Sequence, residues 1–186
     1  GRIGALVAGI MASGFGFRVL AYDVRENPDV VRLGGQYVTL PELLAQSDVV
    51  TLHCPLTPQT RHLIRAETLA TMKHGALLVN TSRGALIDAD AVVEALKEGR
   101  LGGLAMDVYE QEADLFFEDL SNEIVRDDTL QRLLMFPNVL VTGHQAFFTR
   151  DALEAIAEVT LSSITAFAQG EPLANAVTES AIAPRT

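Results

Sequence analysis

The stretch GALLVNTSRGALIDADAVVEALKEGRLGGLAMDVYE, Gly75–Glu110, has the pattern of a strand, a helix and a second strand. Its runs GALLVN and GGLAMDVYE are apolar without clean alternation, which is typical of parallel strands buried on both faces. Between them, Asp88 can cap a helix over ADAVVEALKE, and Gly99 can end that helix. The pattern predicts two parallel strands of one sheet, joined by a crossover helix.

The same alternation of strand and helix patterns extends over most of the chain. Thr39 and Glu42 form a T-x-x-E capping box before one helix, and a leucine cluster over residues 130–134 indicates another. The other strand-sized runs are FRVLAYD (17–23), DVVTLHCP (48–55) and PNVLVTGHQAF (137–147), and a long helix is expected over residues 149–168. We therefore predict an α/β fold: a Rossmann-type doubly wound parallel sheet, covered by helices on both sides.

The N-terminal stretch GRIGALVAGI has glycines at Gly1 and Gly4, followed by a helical pattern of apolar residues. This is the spacing of the second half of G-x-G-x-x-G, a motif that brings a diphosphate to a helix N-terminus. A glycine pair at the start of an ordinary core helix would have the same spacing. We expect the first glycine of the motif and the first strand of the sheet to lie upstream of Gly1.

Composition limits the possible partners. The chain has 186 residues, 48% of them apolar, and a formal net charge of −10. Nucleic acids and anionic membranes attract concentrated positive charge, so we expect neither as a partner. No apolar run in the sequence is long enough to span a bilayer, and the single cysteine, Cys54, cannot form an intrachain disulfide. We expect a soluble protein that is, by default, cytoplasmic.

Polar residues follow the apolar runs at the points where the strands should end. In open α/β sheets, the ligand lies outside the carboxyl ends of the strands. Five strand ends that converge on one crevice indicate a binding site more strongly than half a glycine motif does. The residues at these ends are Asp23, His53–Pro55, Thr81–Arg83, Asp107 and His144.

Asp23 stands 19 residues after Gly4. An acid about 20 residues beyond the glycine motif accepts hydrogen bonds from the adenosine ribose of a dinucleotide. A carboxylate at this position would repel a 2′-phosphate, so NAD is favoured over NADP, although Arg25 is nearby. A solvated turn aspartate is the alternative interpretation.

Four runs, HCPLTPQT, NTSRGALID, AMDVYEQE and TGHQAF, resemble the D-2-hydroxyacid dehydrogenase family. The run DLFFEDLSNEIVRDD followed by PNVLVTGHQAF is similar to the bacterial fermentative D-lactate dehydrogenases of that family. The resemblance extends from Gly1 to about Pro172. It implies reversible hydride transfer between NADH and a small 2-oxo acid such as pyruvate, in a homo-oligomer.

The resemblance also implies a domain organisation. Residues 1–148 would form the NAD-binding Rossmann domain, and residues 149–186 a helix and tail that return toward a substrate domain. That domain is expected upstream of Gly1, with about 100 residues by ordinary domain size. Because it would close over the crevice and exclude water, we expect the chain alone to bind NADH weakly. We also expect marginal stability, because the missing first strand would leave its neighbour in the sheet with unpaired backbone groups.

The family's motifs assign three catalytic residues. Its substrate-binding arginine, in S-R-G, is Arg83, and its acid–base histidine is His144. Its acid stands five residues after Asp107, which gives Glu112 and not Glu110. A guanidinium can hold a carboxylate bidentately and polarise the neighbouring carbonyl. The histidine can give a proton to the alkoxide that forms as hydride arrives, and an adjacent carboxylate favours the protonated imidazole.

Cofactor contacts are expected from the glycine turn, the strand ends and one loop. The residues implied are Gly1, Arg2, Ile3, Gly4, Asp23, Cys54, Pro55, Thr60, Thr81, Ser82, Arg83, Asp107 and His144. Asp107 could instead cap a turn. No metal site is expected.

Other residues have structural interpretations. His62 and His74, each beside a predicted helix, are expected to be structural. The run 110–128 contains eight acids and one base, which predicts a solvated loop. Phe116 and Phe117 would pin this loop to the rest of the protein, because exposed phenylalanines are unfavourable.

Two other functions stay open. One is a dehydrogenase for another D-2-hydroxy acid with a larger side chain. The other is a non-catalytic NAD-sensing binding protein of the corepressor kind, since such relatives keep the three catalytic residues.

Overall fold

The computed structural model describes residues 1–112, 115 and 126–178. The chain divides into two units, Gly1–His144 and Gln145–Thr186, and each is described by itself. Phe116 and Phe117, with most of the loop that they are expected to pin (residues 113, 114 and 116–125), lie outside the described residues.

The first unit begins with a helix and a small parallel sheet. Helix α1 spans Arg2–Gly9 and continues as a π-helical turn over Ile10–Gly14. It is followed by β1 (Leu20–Ala21), α2 (Pro28–Arg32), β2 (Gln36–Tyr37) and α3 (Leu40–Gln46), with β1 and β2 parallel. The predicted strand FRVLAYD is therefore only two residues long. The apolar pattern does not reveal β2 or α2, because elements this short show no periodicity.

Four further strands form a second parallel sheet in the order β3–β4–β5–β6. The elements are β3 (Val49–Leu52), α4 (Ala66–Thr71), β4 (Ala76–Asn80), a 3-10 turn (Gly84–Leu86), α5 (Ala89–Lys97), β5 (Leu101–Met106), α6 (Asp128–Met135) and β6 (Val139–Val141). The parallel pairing of β4 with β5 on either side of α5 confirms the strand–helix–strand interpretation of Gly75–Glu110. The arrangement is the predicted Rossmann type.

Helix ends lie where the sequence signals predict them. Thr39 accepts a hydrogen bond from the Glu42 amide, and the Glu42 carboxylate accepts one from the Thr39 amide at 2.9 Å, so the capping box is complete. Asp88 accepts from the Ala91 amide at 3.2 Å at the start of α5. Gly99, just beyond α5, has a φ of +66°, a left-handed conformation that glycine adopts without strain.

The core lies on one face of the second sheet. Val50, Leu78 and other buried residues of β3–β5 pack against α4, α5 and α6 in one apolar cluster. On the other face, Val49, Leu77 and Leu140 are 43%, 46% and 63% exposed within this chain, so burial of the strands on that face stays a prediction. Each strand of this sheet is added on the same side of the strand before it. Right-handed crossovers therefore place the connecting helices α4, α5 and α6 on one face of the sheet.

The four strands of this sheet end at the same level. Leu52 is paired with Asn80, Asn80 with Met106, and Met106 with Val141. Because the strands are parallel, the residues that follow them meet at one edge of the sheet. The candidate site residues after β3, β4, β5 and β6 therefore share this edge, as the sequence predicts.

The second unit contains the long C-terminal helix α7, which spans Arg150–Gln169. Thr149 caps it by accepting from the Ala152 amide at 3.3 Å, and Gly170 ends it with a φ of +69°. These bounds agree with the predicted residues 149–168. Among the described residues, no helix combines the length and the apolar character needed to cross a membrane.

Candidate active site

His144 and Glu112 are in direct contact. Nδ1 of His144 lies 2.9 Å from Oε1 of Glu112. An ionised carboxylate only accepts hydrogen bonds, so Nδ1 carries a hydrogen and donates it. The two side chains are 32% and 19% exposed, which shields the pair partly from water. The carboxylate thereby orients the imidazole through Nδ1.

Hydrogen bonds from β5 and its following loop hold this pair. His144 has a left-handed φ of 53°, and its amide donates to the Asp107 carbonyl oxygen at 2.7 Å. The second carboxylate oxygen of Glu112 accepts from the Tyr109 amide at 2.9 Å. The Asp107 side chain, in a residue only 6% exposed, accepts from the Thr142 hydroxyl. Asp107 therefore stabilises the turn that contains His144 through these two hydrogen bonds.

Arg83 follows β4 at the same edge, and a buried asparagine organises its turn. Asn80 is 1% exposed, and its side chain donates to the Arg83 carbonyl oxygen at 2.9 Å and accepts from the Ser82 amide at 3.1 Å. The Ser82 hydroxyl donates to the Cys54 carbonyl oxygen at 2.7 Å. The sequence motifs do not identify Asn80, although a polar residue in the last position of an apolar strand, directly before T-S-R-G, is a signal for it.

Gly84 packs against the peptide that joins Tyr109 and Glu110. A Cβ at position 84 would lie 2.1 Å from the Tyr109 carbonyl carbon and 2.2 Å from the Glu110 nitrogen. Atoms do not approach this closely, so only glycine lets the turn after Arg83 touch the loop that carries Glu112. The glycine of S-R-G therefore has a packing role that its sequence context does not reveal.

An open cleft of about 470 Å³ lies beside Arg83. Four of the predicted cofactor residues line it, together with His53 and Leu56: they are Cys54, Pro55, Ser82 and Arg83. Burial, with a smaller effect from the Asp23 charge, raises the pKa of the Cys54 thiol. A protonated thiol is a poor nucleophile, which agrees with a lining role for Cys54 in the cleft.

The glycine turn lies next to Asp23. The nitrogen of Gly1 is 3.3 Å from Oδ2 of Asp23. A Cβ at Gly4 would lie 3.3 Å from Cβ of His53, so the first turn of α1 packs closely on the end of β3. The N-terminus of a helix attracts a diphosphate. With an acid beside that turn for a ribose, these residues fit NAD.

The structure does not bring every predicted cofactor residue to the cleft. The Thr60 hydroxyl donates to the Pro55 carbonyl oxygen at 2.7 Å and so closes its own loop. Arg2, Ile3 and Thr81 have exposed side chains. Contact of all the predicted residues with the cofactor stays a prediction.

Glu110, the other acid considered for the catalytic set, has different partners from Glu112. Its carboxylate accepts from Nε2 of His62 at 2.9 Å and from the Arg61 guanidinium. Burial by itself raises the pKa of Glu110, but the hydrogen bonds from His62 and Arg61 outweigh this effect and lower it. Two acids that are two residues apart in sequence thus bind different histidines.

Comparison with known proteins places the chain in a family. Residues 1–146 match the family model described as the NAD binding domain of D-isomer specific 2-hydroxyacid dehydrogenases. A 2-hydroxyacid dehydrogenase homolog of Haemophilus influenzae is 55% identical over 177 residues, which make up 95% of this chain and 53% of the relative.

Two solved structures are similar in both fold and sequence. A D-lactate dehydrogenase from Treponema pallidum aligns with a TM-score of 0.90 at 38% identity, covering 96% of this chain and 53% of that one. A D-lactate dehydrogenase from Lactobacillus jensenii, solved with NAD⁺, aligns with a TM-score of 0.87 at 34% identity, with coverage of 96% and 53%. The chain spans about half the length of these relatives. It belongs to the D-isomer specific 2-hydroxyacid dehydrogenases, and residues 1–146 are its NAD-binding domain.

Proposed function

We propose that the whole protein is an NAD-dependent D-lactate dehydrogenase, which transfers hydride reversibly between NADH and pyruvate. The observation that carries this proposal is the 2.9 Å contact between Glu112 and His144, at the same sheet edge as Arg83. The choice of lactate is supported by the names of the similar solved structures from Treponema pallidum and Lactobacillus jensenii.

The proposed chemistry divides between cofactor and protein. NADH supplies the hydride when it is bound. Arg83 binds the carboxylate of the oxo acid and polarises the adjacent carbonyl. His144 holds a proton at Nε2 and donates it to the carbonyl oxygen, while Glu112 at Nδ1 stabilises the imidazolium. In the reverse direction, the neutral imidazole accepts the proton of the 2-hydroxyl group.

The substrate test is NADH consumption by the whole protein with a panel of 2-oxo acids that differ in side-chain size. We expect the highest kcat/KM with pyruvate. Faster turnover of a 2-oxo acid with a larger side chain would indicate a dehydrogenase for another D-2-hydroxy acid. Binding of NADH without turnover of any member would favour the non-catalytic NAD-sensing alternative.

Asp23 is proposed to bind the adenosine ribose of NAD. Replacing Asp23 with Ala removes charge-assisted hydrogen bonds, so the affinity for NADH should fall about tenfold. The affinity for NADPH should fall less, because the same change removes the repulsion of the 2′-phosphate. Fluorescence titration with both cofactors measures the two effects.

The matched control for Asp23→Ala is Glu26→Ala, an exposed acid three residues along the same loop. This control should leave both affinities unchanged. Equal affinity of the unmodified protein for NADH and NADPH would contradict the role of Asp23.

Three features of the whole protein stay predictions. These are the homo-oligomeric state, the cytoplasmic location and the division into residues 1–148 and 149–186.

A further inference from the structure

The loop after β5 carries Glu112, and the structure holds the first part of this loop from two sides. On one side, the peptide between Tyr109 and Glu110 lies against Gly84, too close for any side chain at that position. On the other side, the Glu110 carboxylate is bound by His62 and Arg61. Both contacts act three residues or fewer before Glu112.

The Glu110 cluster consists of Glu110, His62 and Arg61. Its side chains are 22%, 34% and 55% exposed, so the carboxylate is the best-shielded member. The lowered pKa of Glu110, caused by hydrogen bonds from His62 and Arg61 that outweigh burial, keeps the acceptor ionised. An ionised acceptor makes both hydrogen bonds stronger than neutral ones would be.

His62 is itself fixed to the segment that follows Arg83. Its amide donates to the Ala85 carbonyl oxygen at 2.8 Å, and Ile64 forms a parallel bridge with Ile87. The backbone at His62 has a φ of +48°, which is uncommon for a residue other than glycine. The surrounding hydrogen bonds hold this conformation, which allows the ring to reach Glu110.

We propose that Glu110 and His62 are positioning residues, which set the separation between Arg83 and the Glu112–His144 pair by clamping the Tyr109–Glu110 peptide onto Gly84. The inference rests on the proposed function, because that function gives the separation its meaning. Arg83 would hold one end of the oxo acid and His144 would protonate the other. A shift of about 1 Å between such groups lowers turnover about 10²-fold.

The test uses three variants of the whole protein and one control. Glu110→Ala removes both hydrogen bonds, His62→Ala removes one, and Glu110→Gln keeps an acceptor of the same size. The control Glu94→Ala removes the carboxylate from an exposed ion pair with Lys97 on α5. For each protein, we would measure kcat, KM for the oxo acid, the Kd of NADH and the melting temperature.

We expect Glu110→Ala and His62→Ala to lower kcat about tenfold or more, with a Kd for NADH within about twofold of the unmodified protein. Glu110→Gln should keep kcat within about threefold of the unmodified protein, since its one amide oxygen can still accept the hydrogen bond from His62. If both alanine variants had a lower melting temperature but an unchanged kcat, the proposal would be overturned, because the cluster would then only stabilise the fold.

A second readout does not depend on turnover. In protein labelled with ¹⁵N-histidine, the Nδ1–H signal of His144 is identified by its loss in His144→Gln. We expect this signal to broaden by solvent exchange in Glu110→Ala and to stay sharp in Glu110→Gln. A sharp signal in Glu110→Ala would overturn the inference. If the unmodified protein turned over no 2-oxo acid, the proposed function would fail while this measurement still decided the inference.

Discussion

Replacing His144 with Gln should lower kcat for NADH-dependent reduction of the oxo acid by about 10²- to 10⁴-fold, the usual contribution of a general acid. Glutamine can donate a hydrogen bond to the substrate carbonyl but cannot give up a proton to the developing alkoxide. Its amide can still contact Glu112, which lies 2.9 Å from the histidine ring, so the surrounding loops should stay in place. Steady-state kinetics and NADH titration on the whole protein measure the effect.

The matched control is His74→Gln, which makes the same chemical change at the opposite end of β4. His74 is exposed and precedes the first residue of that strand, whereas the site lies beyond its last residue. The control should keep full activity. Both variants should still bind NADH, since glutamine keeps a polar side chain where His144 is expected to contact the cofactor. Loss of NADH binding in His144→Gln, in proportion to the loss of kcat, would show that the substitution disturbs the cofactor site instead of proton transfer.

Replacing Arg83 with Gln should lower kcat/KM for the oxo acid by about 10²- to 10³-fold, because the positive partner of the substrate carboxylate is lost. The effect should appear in KM as well as in kcat, since the guanidinium binds the carboxylate in both the ground state and the transition state. Arg83→Lys should recover part of the loss, as it restores the charge without the bidentate geometry.

Arg65→Gln is the control for a general loss of positive charge. Arg65 is an exposed residue that pairs with Glu67 on the surface, so this substitution should leave kcat and KM unchanged. An Arg83→Gln variant with lowered kcat but unchanged KM would contradict the carboxylate-binding role. It would assign Arg83 to transition-state stabilisation alone.

Much of the fold follows from local sequence signals. The Thr39–Glu42 box, the Asp88 cap and the left-handed Gly99 lie at the predicted ends of their helices. These signals can be interpreted without a structure because a helix cap depends on residues within one turn. Strand boundaries depend on the partner strand as well, and the run FRVLAYD is accordingly seven residues in the sequence pattern but two in the sheet.

The sequence does not indicate which face of the second sheet carries the helices α4, α5 and α6. Val49 and Leu77 are apolar members of runs that resemble fully buried strands, yet they are 43% and 46% exposed. Hydrophobicity indicates that a residue prefers burial, but the residue is buried only where another part of the protein packs against it. Which face receives the helices is decided by the strand order and the hand of the crossovers.

By itself, the sequence determined the alternation of strands and helices, the polar residues at the strand ends and, through family motifs, the candidate set Arg83, Glu112 and His144. Only the tertiary structure decided which groups touch. Glu112 binds a histidine 32 residues away and Glu110 binds one 48 residues away, although the two acids are separated by a single residue. The burial of Asn80 and the contact of Gly84 with Tyr109 were likewise decided only by the tertiary structure. Hydrogen-bond partners and close packing are set by distances in space, and sequence separation carries no information about them until the parallel register brings the strand ends together.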